Sequence, residues 1–402
     1  MAVVNHVDYE WLAAEGRAMS SPGNPQYPLL IGGSGLTGCN LMVLLANTPE
    51  CKRIRVLDIV PIPKAVVEEC GIPDSKIEFV RHRLGTESED SLAAAMEGVD
   101  CVFTVITPHV QLAPYEDFFK TNIDGIRSVI KVCIAKGVPR LVYHSSIATT
   151  NHFVESVNQS EDAPLPPWEL YVSPYDISKR TGEEDVLAAN KEGKLVTCAL
   201  RSGGILLSPN DFAFANYFMV PGILPSLASC KKVDFMDGGD AVRALLLACQ
   251  GLGERPAEIG GQVFFITRSK DDETHPMLIC SAIQRVLGWF FLPIPAFMVL
   301  VLQFCDATVH HVKKILGFSV PGVPAYMFYK MAMIEQTFDN SKVKKMLGFE
   351  PKRTLFESTA RICSLYSKQR KLAQGGIRWW KIVLPLSFVG ALAFIFAQQR
   401  WQ

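Results

Sequence analysis

The chain has 402 residues, enough to bury one large core or two, and carries 40 Lys and Arg against 40 Asp and Glu. A formal net charge of zero excludes the strong basic field that nucleic-acid binding needs, so no nucleic-acid partner is expected. The hydrophobic share of 49% and mean hydropathy of +0.17 are high for a soluble protein and direct attention to membrane-compatible segments.

Residues 1–26 read as a variable leader closing on Ser20-Ser21-Pro22-Gly23-Asn24-Pro25, a cluster of turn formers. It holds no apolar run behind basic residues, so it does not read as a secretory signal. Short apolar runs then alternate with longer helical patterns. Strands are predicted at 27–31, 53–60, 77–80, 101–107, 141–144 and 195–200, and helices at 37–46, 64–70, 91–96, 121–136 and 175–190. Near-continuous apolar strands taking turns with helices mean a parallel sheet covered on both faces, an α/β doubly wound fold.

From about residue 290 the composition shifts, and Phe290-Phe291-Leu292-Pro293-Ile294-Pro295 leads into an almost wholly apolar stretch, Ala296 to Cys305. Its length suits an interfacial or re-entrant segment or a core helix, and both readings stand. Ile382 to Ala397 is unbroken and uncharged, with Trp379, Trp380 and Lys381 before it and Arg400 and Trp401 after it. A spanning helix needs about 20 residues, and the tryptophans suit the interfacial belt, so a C-terminal transmembrane helix is predicted at 379–398. A helix buried against the domain is the alternative. Arg370, Lys371, Arg378 and Lys381 outnumber the single Arg400 beyond, which keeps the large domain cytosolic.

The 11 cysteines contain no C-x-x-C pair and read as buried thiols in a reducing compartment. The 8 histidines show no ligand spacing, so no metal site is expected.

Gly32-Gly33-Ser34-Gly35-Leu36-Thr37-Gly38 follows the first predicted strand and opens the first helix. Glycines 32, 35 and 38 leave room for backbone amides, including those of Leu36 and Thr37, to approach a pyrophosphate at the helix N-terminus. Asp58 ends the second strand 20 residues beyond Gly38, placed to accept hydrogen bonds from the adenosine ribose hydroxyls. Its charge repels a 2′-phosphate, which favours NAD over NADP. This is a Rossmann-type nucleotide site.

Tyr175-Asp176-Ile177-Ser178-Lys179 sets a phenol and an ammonium one turn apart on one helix face. A phenol with a reference pKa of about 10 needs such a cation to act as a base near neutrality. Ser145 and Ser146 end a predicted strand, Ser146 lying 29 residues before Tyr175, where a hydroxyl can polarise a substrate oxygen. A second match, Tyr326 to Lys330, lies among apolar residues without a hydroxyl-bearing strand and is set aside.

Together these motifs resemble an extended short-chain dehydrogenase/reductase and, within that group, the 3β-hydroxysteroid dehydrogenase family, which includes sterol-4α-carboxylate 3-dehydrogenases. The similarity runs from about Tyr27 to Ser367 and takes in Thr121-Asn122-Ile123-Asp124-Gly125, Gly137-Val138-Pro139-Arg140, Asp240-Ala241-Val242-Arg243-Ala244 and Lys342 to Phe349. The resemblance implies that Tyr175 is the acid/base, Lys179 its electrostatic and ribose partner, and Ser146 the hydroxyl donor, with Ser145 a rival. It also implies that Gly32, Gly35, Leu36, Thr37, Gly38 and Asp58 hold NAD, with Tyr175 and Lys179 among its contacts, and that Asn122 supports the active-site backbone. Two departures stand out. His82-Arg83 occupies the place of a Gly-Asp pair that meets adenine, so Arg83 can stack on the base or admit NADP. Arg201-Ser202-Gly203 replaces the usual Arg-Pro.

The expected organisation is a nucleotide-binding domain at 27–260 with a substrate segment at 201–232, a smaller substrate-binding and membrane-facing part at 261–370, and the anchor at 379–398. The expected reaction is NAD-dependent oxidation of a 3β-hydroxyl on a sterol or steroid at the endoplasmic reticulum membrane, with decarboxylation where the substrate carries a 4α-carboxylate. A reductase or epimerase of another small molecule, and a membrane-bound nucleotide-binding protein without turnover, are the alternatives.

Overall fold

Extended backbone lets an apolar run present side chains to both faces of a sheet, which is why the Leu-, Ile- and Val-rich segments here become strands. A computed structural model of the chain describes residues 9–109, 113–150, 153–206, 222–227, 231–268, 275–316 and 333–373. Its centre is a parallel sheet of β1 (Pro28–Ile31), β2 (Ile54–Asp58), β3 (Ile77–Arg81), β4 (Cys101–Thr104), β5 (Arg140–Ser146), β6 (Val196–Ser202) and β7 (Val263–Ile266). The spatial order is β7-β6-β5-β4-β1-β2-β3. The chain enters at the middle, runs outward to β3, then returns to β4 beside β1, and that reversal opens a crevice at the strands' carboxyl ends.

Side chains alternate between two cores. Leu30 and Phe103 face one core, where α1 (Tyr9–Ala18), α2 (Leu36–Ala46) and α6 (Gly238–Glu254) pack; Leu29, Ile31 and Val102 face the other, under α3 (Glu89–Ala95), α4 (Gly125–Lys136) and α5 (Pro174–Ala188). The predicted strands and helices of this half agree with the observed ones to within a few residues at their ends.

Two features go beyond the expected organisation. Part of the leader is helical: α1 buries Leu12 completely, and Glu15 pairs with Arg243 (2.8 Å) and Lys352 (2.7 Å). An isolated helix of ten residues is marginal by itself, and here it is docking on the core that holds it. The sheet also runs past residue 260, because β7 hydrogen-bonds along β6, and Val343, Leu347 and Phe349 join the first core.

The remaining elements lie toward the C-terminal part. Helices α7 (Met277–Leu287) and α10 (Leu355–Ala373) share a small core of Ile279, Ile283, Ile362 and Cys363, closed by Trp289 edge-on to Tyr366 at 5.7 Å. Phe290–Ile294 pairs in parallel with Ile223–Leu227 and leads into α8 (Ala296–Ile315); α9 (Ser341–Leu347) precedes α10. The apolar stretch from Ala296 is therefore the first half of a 20-residue helix that goes on to Asp306 and Lys313. Among the described residues no helix is long and apolar enough to cross a membrane. The segment at 379–398 and the Tyr326 to Lys330 pair lie outside the described residues, as does most of 207–230.

Candidate active site

The crevice has two ends of opposite construction. At the β1 end, Gly32 turns the chain at φ +85°, its amide donating to the Leu57 carbonyl at 2.9 Å. A Cβ there would meet the Ile106 backbone at 2.6 Å, and one on Gly38 would lie 2.4 Å from the Gly32 carbonyl. These two glycines let α2 seat directly on the turn. Gly35 caps α2 without a side-chain hydrogen bond, and no acidic residue occupies the first turn, so the amides of Leu36 and Thr37 face no competing side-chain acceptor.

The Ser34 hydroxyl is buried there without a hydrogen-bond partner among the described residues. Bare amides, a positive helix end and an orphaned hydroxyl fit a dinucleotide pyrophosphate. Asp58, nearly buried at the end of β2, closes the cradle by accepting from the amides of Ser34 (3.1 Å), Ile59 (2.7 Å) and Val60 (3.3 Å). Of the His82-Arg83 pair, His82 turns inward to Ser91 (2.7 Å), where burial holds its imidazole below the usual value. Arg83 stays exposed, so it alone is available to an adenine.

At the β5 end, α5 begins with Ser173 as N-cap and Pro174 in its first turn, which fixes where Tyr175 emerges. The half-buried Tyr175 phenol stands near the Ser146 hydroxyl, and its ring meets Phe118 edge-on at 6.1 Å. Burial pushes the phenol up to about 12, against the downward pull of the Ser146 hydroxyl. Lys179 is buried, donates to the His144 carbonyl at 3.1 Å and lies 5.2 Å from the Tyr143 ring centre. Burial brings its ammonium down to about 8, and Glu183 draws it back up. At neutral pH the cation therefore persists.

The two neighbouring serines part company. Ser145 donates to the Glu183 carboxylate at 2.6 Å, whereas Ser146 reaches Tyr175 and accepts from the Ala148 amide at 3.1 Å. Asn122 sits in a π turn, Lys120–Asp124, and donates to the Ser178 hydroxyl (3.0 Å), which in turn donates to the Tyr175 carbonyl (2.9 Å). That chain of bonds ties the first turns of α5 to the segment before α4.

The structure thus gathers Ser146, Tyr175 and Lys179 at one end and Gly32, Gly35, Leu36, Thr37, Gly38 and Asp58 at the other. Sequence reasoning missed Glu183 and His144 and met Arg201 only as part of a departure from the family pattern. Glu183 could have been found, because it continues the 175, 179 spacing by one more turn. His144 gave no such sign; burial and Lys179 hold its imidazole near pKa 3, so it is neutral, 3.0 Å from the Ser202 hydroxyl. Among the described residues no group of three or more His, Cys, Asp or Glu could hold a metal ion.

This architecture recurs in known proteins. A dTDP-glucose 4,6-dehydratase from Streptomyces venezuelae, solved with NAD and TYD bound, superposes with a TM-score of 0.64 at 18% identity, over 86% of this chain and 98% of that one. At that identity the likeness concerns the fold. Curated relatives are nearer in sequence. The sterol-4-alpha-carboxylate 3-dehydrogenase, decarboxylating, of Candida albicans is 28% identical over 81% of this chain and 93% of that protein. The 3beta-hydroxysteroid-dehydrogenase/decarboxylase isoform 1 of Arabidopsis thaliana is 26% identical over 84% of this chain and 79% of that protein. The model of the 3-beta hydroxysteroid dehydrogenase/isomerase family matches residues 29–286, from β1 through both ends of the crevice to α7, and the chain belongs to that family.

Proposed function

We propose that this protein oxidises a 3β-hydroxyl on a sterol or steroid with NAD as cofactor, and that a 4α-carboxysterol substrate loses CO2 in the same site. The observation that carries the reading is the placing of Tyr175 near the Ser146 hydroxyl, with Lys179 buried one turn along the same helix, in a chain of this family. Bound NAD, held by the glycine turn and Asp58, would supply the acceptor for the hydride leaving C3. Ser146 donates a hydrogen bond to the substrate oxygen, and the Tyr175 phenolate takes its proton. A phenol standing near 12 needs nearby positive charge to ionise, and Lys179, one turn along α5, is the cation placed to supply it.

Once C3 is a ketone, the bond from C4 to the carboxylate can break. Its electron pair moves into an enolate whose oxygen Tyr175 and Ser146 stabilise as donors, CO2 departs, and C4 is reprotonated. Asp58 favours NAD over NADP, with Arg83 the residue able to soften that preference.

The substrate would reach the site from lipid. Along α8, Phe297 (66% exposed), Phe304 (73%) and Ile315 (83%) project into solvent, joined by Phe290 on the preceding strand. A helix with this much exposed apolar surface and charged residues toward its end suits the plane of a bilayer interface. Together with the apolar 379–398 segment it would hold the protein on the endoplasmic reticulum with the catalytic part cytosolic. Phe304→Asp should weaken sedimentation of the protein with phospholipid vesicles, and unchanged sedimentation would remove α8 from the contact.

The deciding experiment is NADH formation by the detergent-solubilised protein offered a 3β-hydroxysteroid or a 4α-carboxysterol, beside Tyr175→Phe. Turnover abolished in the variant is expected, with release of CO2 only from the acid. Silence with both substrates, despite demonstrated NAD binding, would reject the sterol assignment and favour another small alcohol.

A further inference from the structure

Behind the candidate catalytic set lies a buried ion pair that the oxidation scheme leaves unused. Glu183, only 1% exposed, sits one turn beyond Lys179 on α5. Its carboxylate receives Arg201 of β6 through both Nε (3.1 Å to each oxygen) and Nη2 (2.6 Å). It also accepts the Ser145 hydroxyl at 2.6 Å. One carboxylate therefore touches the strand that carries both serines, the neighbouring strand and the helix that carries Tyr175 and Lys179.

A buried pair of this kind is a poor source of stability, because the desolvation of two ions offsets most of their attraction. Its geometry offers another role. Lys179 is enclosed by the Tyr143 ring and His144 from β5, with Glu183 one turn further along its own helix. Burial pushes the Tyr143 phenol well above its ordinary value, and burial and Lys179 hold the His144 imidazole down, so neither contributes a negative charge. Among the described residues Glu183 is the anion of that enclosure, and it carries the Arg201 guanidinium on its other side. The same carboxylate commits Ser145 to the interior, which leaves Ser146 as the strand-end hydroxyl at the phenol.

We propose that Glu183 is a positioning residue of this site: it keeps the Lys179 ammonium charged from one helical turn away and holds the Ser145 hydroxyl apart from the substrate oxygen. Arg201 orients the carboxylate from β6. The inference rests on the proposed oxidation for its kinetic meaning, but its electrostatic part can be read without any substrate.

The test uses Glu183→Gln and the paired variant Glu183→Gln/Arg201→Gln, since the single change leaves a guanidinium buried without its partner and can fail to fold. The Lys179 titration is followed by NMR of ¹⁵N-lysine-labelled protein, with Lys179→Arg assigning the signal. Loss of the Glu183 charge should lower the Lys179 midpoint by about one pH unit or more. An unmoved midpoint in folded Glu183→Gln, or in the paired variant compared with Arg201→Gln so that only the carboxylate charge differs, overturns the proposal whether or not sterols prove to be substrates.

Where wild-type turnover is established, the alkaline limb of kcat against pH should shift toward acid in the paired variant. A loss of kcat by one constant factor at every pH would mean that the pair only braces α5 against β6, and the proposal would fall. Ser145→Ala completes the series: kcat should change less than about threefold, because this hydroxyl serves Glu183. A loss as large as that of Ser146→Ala would place Ser145 on the substrate and refute the second half of the proposal.

Discussion

The two ends of the crevice do opposite things with side chains. The cradle after β1 works by having almost none: Gly32, Gly35 and Gly38 strip the turn so that amides and a helix end point outward unopposed. The end after β5 is crowded with buried polar groups, Ser145, Ser146, Lys179 and Glu183, each held by a named partner. A diphosphate is a large fixed anion, and exposed backbone dipoles suffice to hold it. A proton has to be moved between groups of matched affinity, and that needs charges buried at set distances.

Substitutions at each end should therefore fail differently. Tyr175→Phe should cost about a thousandfold or more in kcat while calorimetry finds NAD affinity nearly unchanged. If affinity falls in parallel, the two ends are not separable. Gly38→Ala should do the reverse. Its new Cβ would press into the Gly32 carbonyl and force α2 off the turn, weakening NAD binding on the order of a hundredfold in the same titration. Asp58→Asn is gentler and should shrink the preference for NAD over NADP by about tenfold, read as the ratio of kcat/KM for the two cofactors.

The smallest effect concerns pH. His144 has a folded pKa near 3 against about 6.5 in an unfolded chain, so the unfolded state binds more protons between those values. Its contribution to stability is complete above pH 6.5 and is lost as pH falls toward 3. The melting temperature should decline through that window, and His144→Gln should flatten the decline by a few degrees. An identical decline in the variant would assign the acid sensitivity to other groups.

Much of the site was legible in advance because its signals are local. The glycine turn is contiguous, Asp58 ends the next strand, and Tyr175 and Lys179 share one helix face by their spacing alone. The serine choice was not legible, since two adjacent hydroxyls are equivalent until a partner distinguishes them, and that partner, Glu183, lies 38 residues from Ser145. Asn122 was assigned a supporting role by resemblance, and its bond to Ser178 across 56 residues gives that role a physical form. His82-Arg83 divides in the same way: burial under Ser91 removes His82 from the nucleotide side and leaves Arg83 exposed.

By itself the sequence determined the parallel α/β sheet, the glycine turn after its first strand and the spacing of Tyr175 and Lys179 on one helix face, because hydrophobic period and motif spacing are properties of neighbouring residues. Tertiary structure alone decided that residues 9–18 dock as a helix, that the sheet takes its seventh strand from beyond residue 260, and that Ser146 rather than Ser145 meets the phenol. Each of those outcomes depends on a partner distant in sequence, and a side chain's burial and hydrogen-bond partners exist only once the chain has brought such partners together.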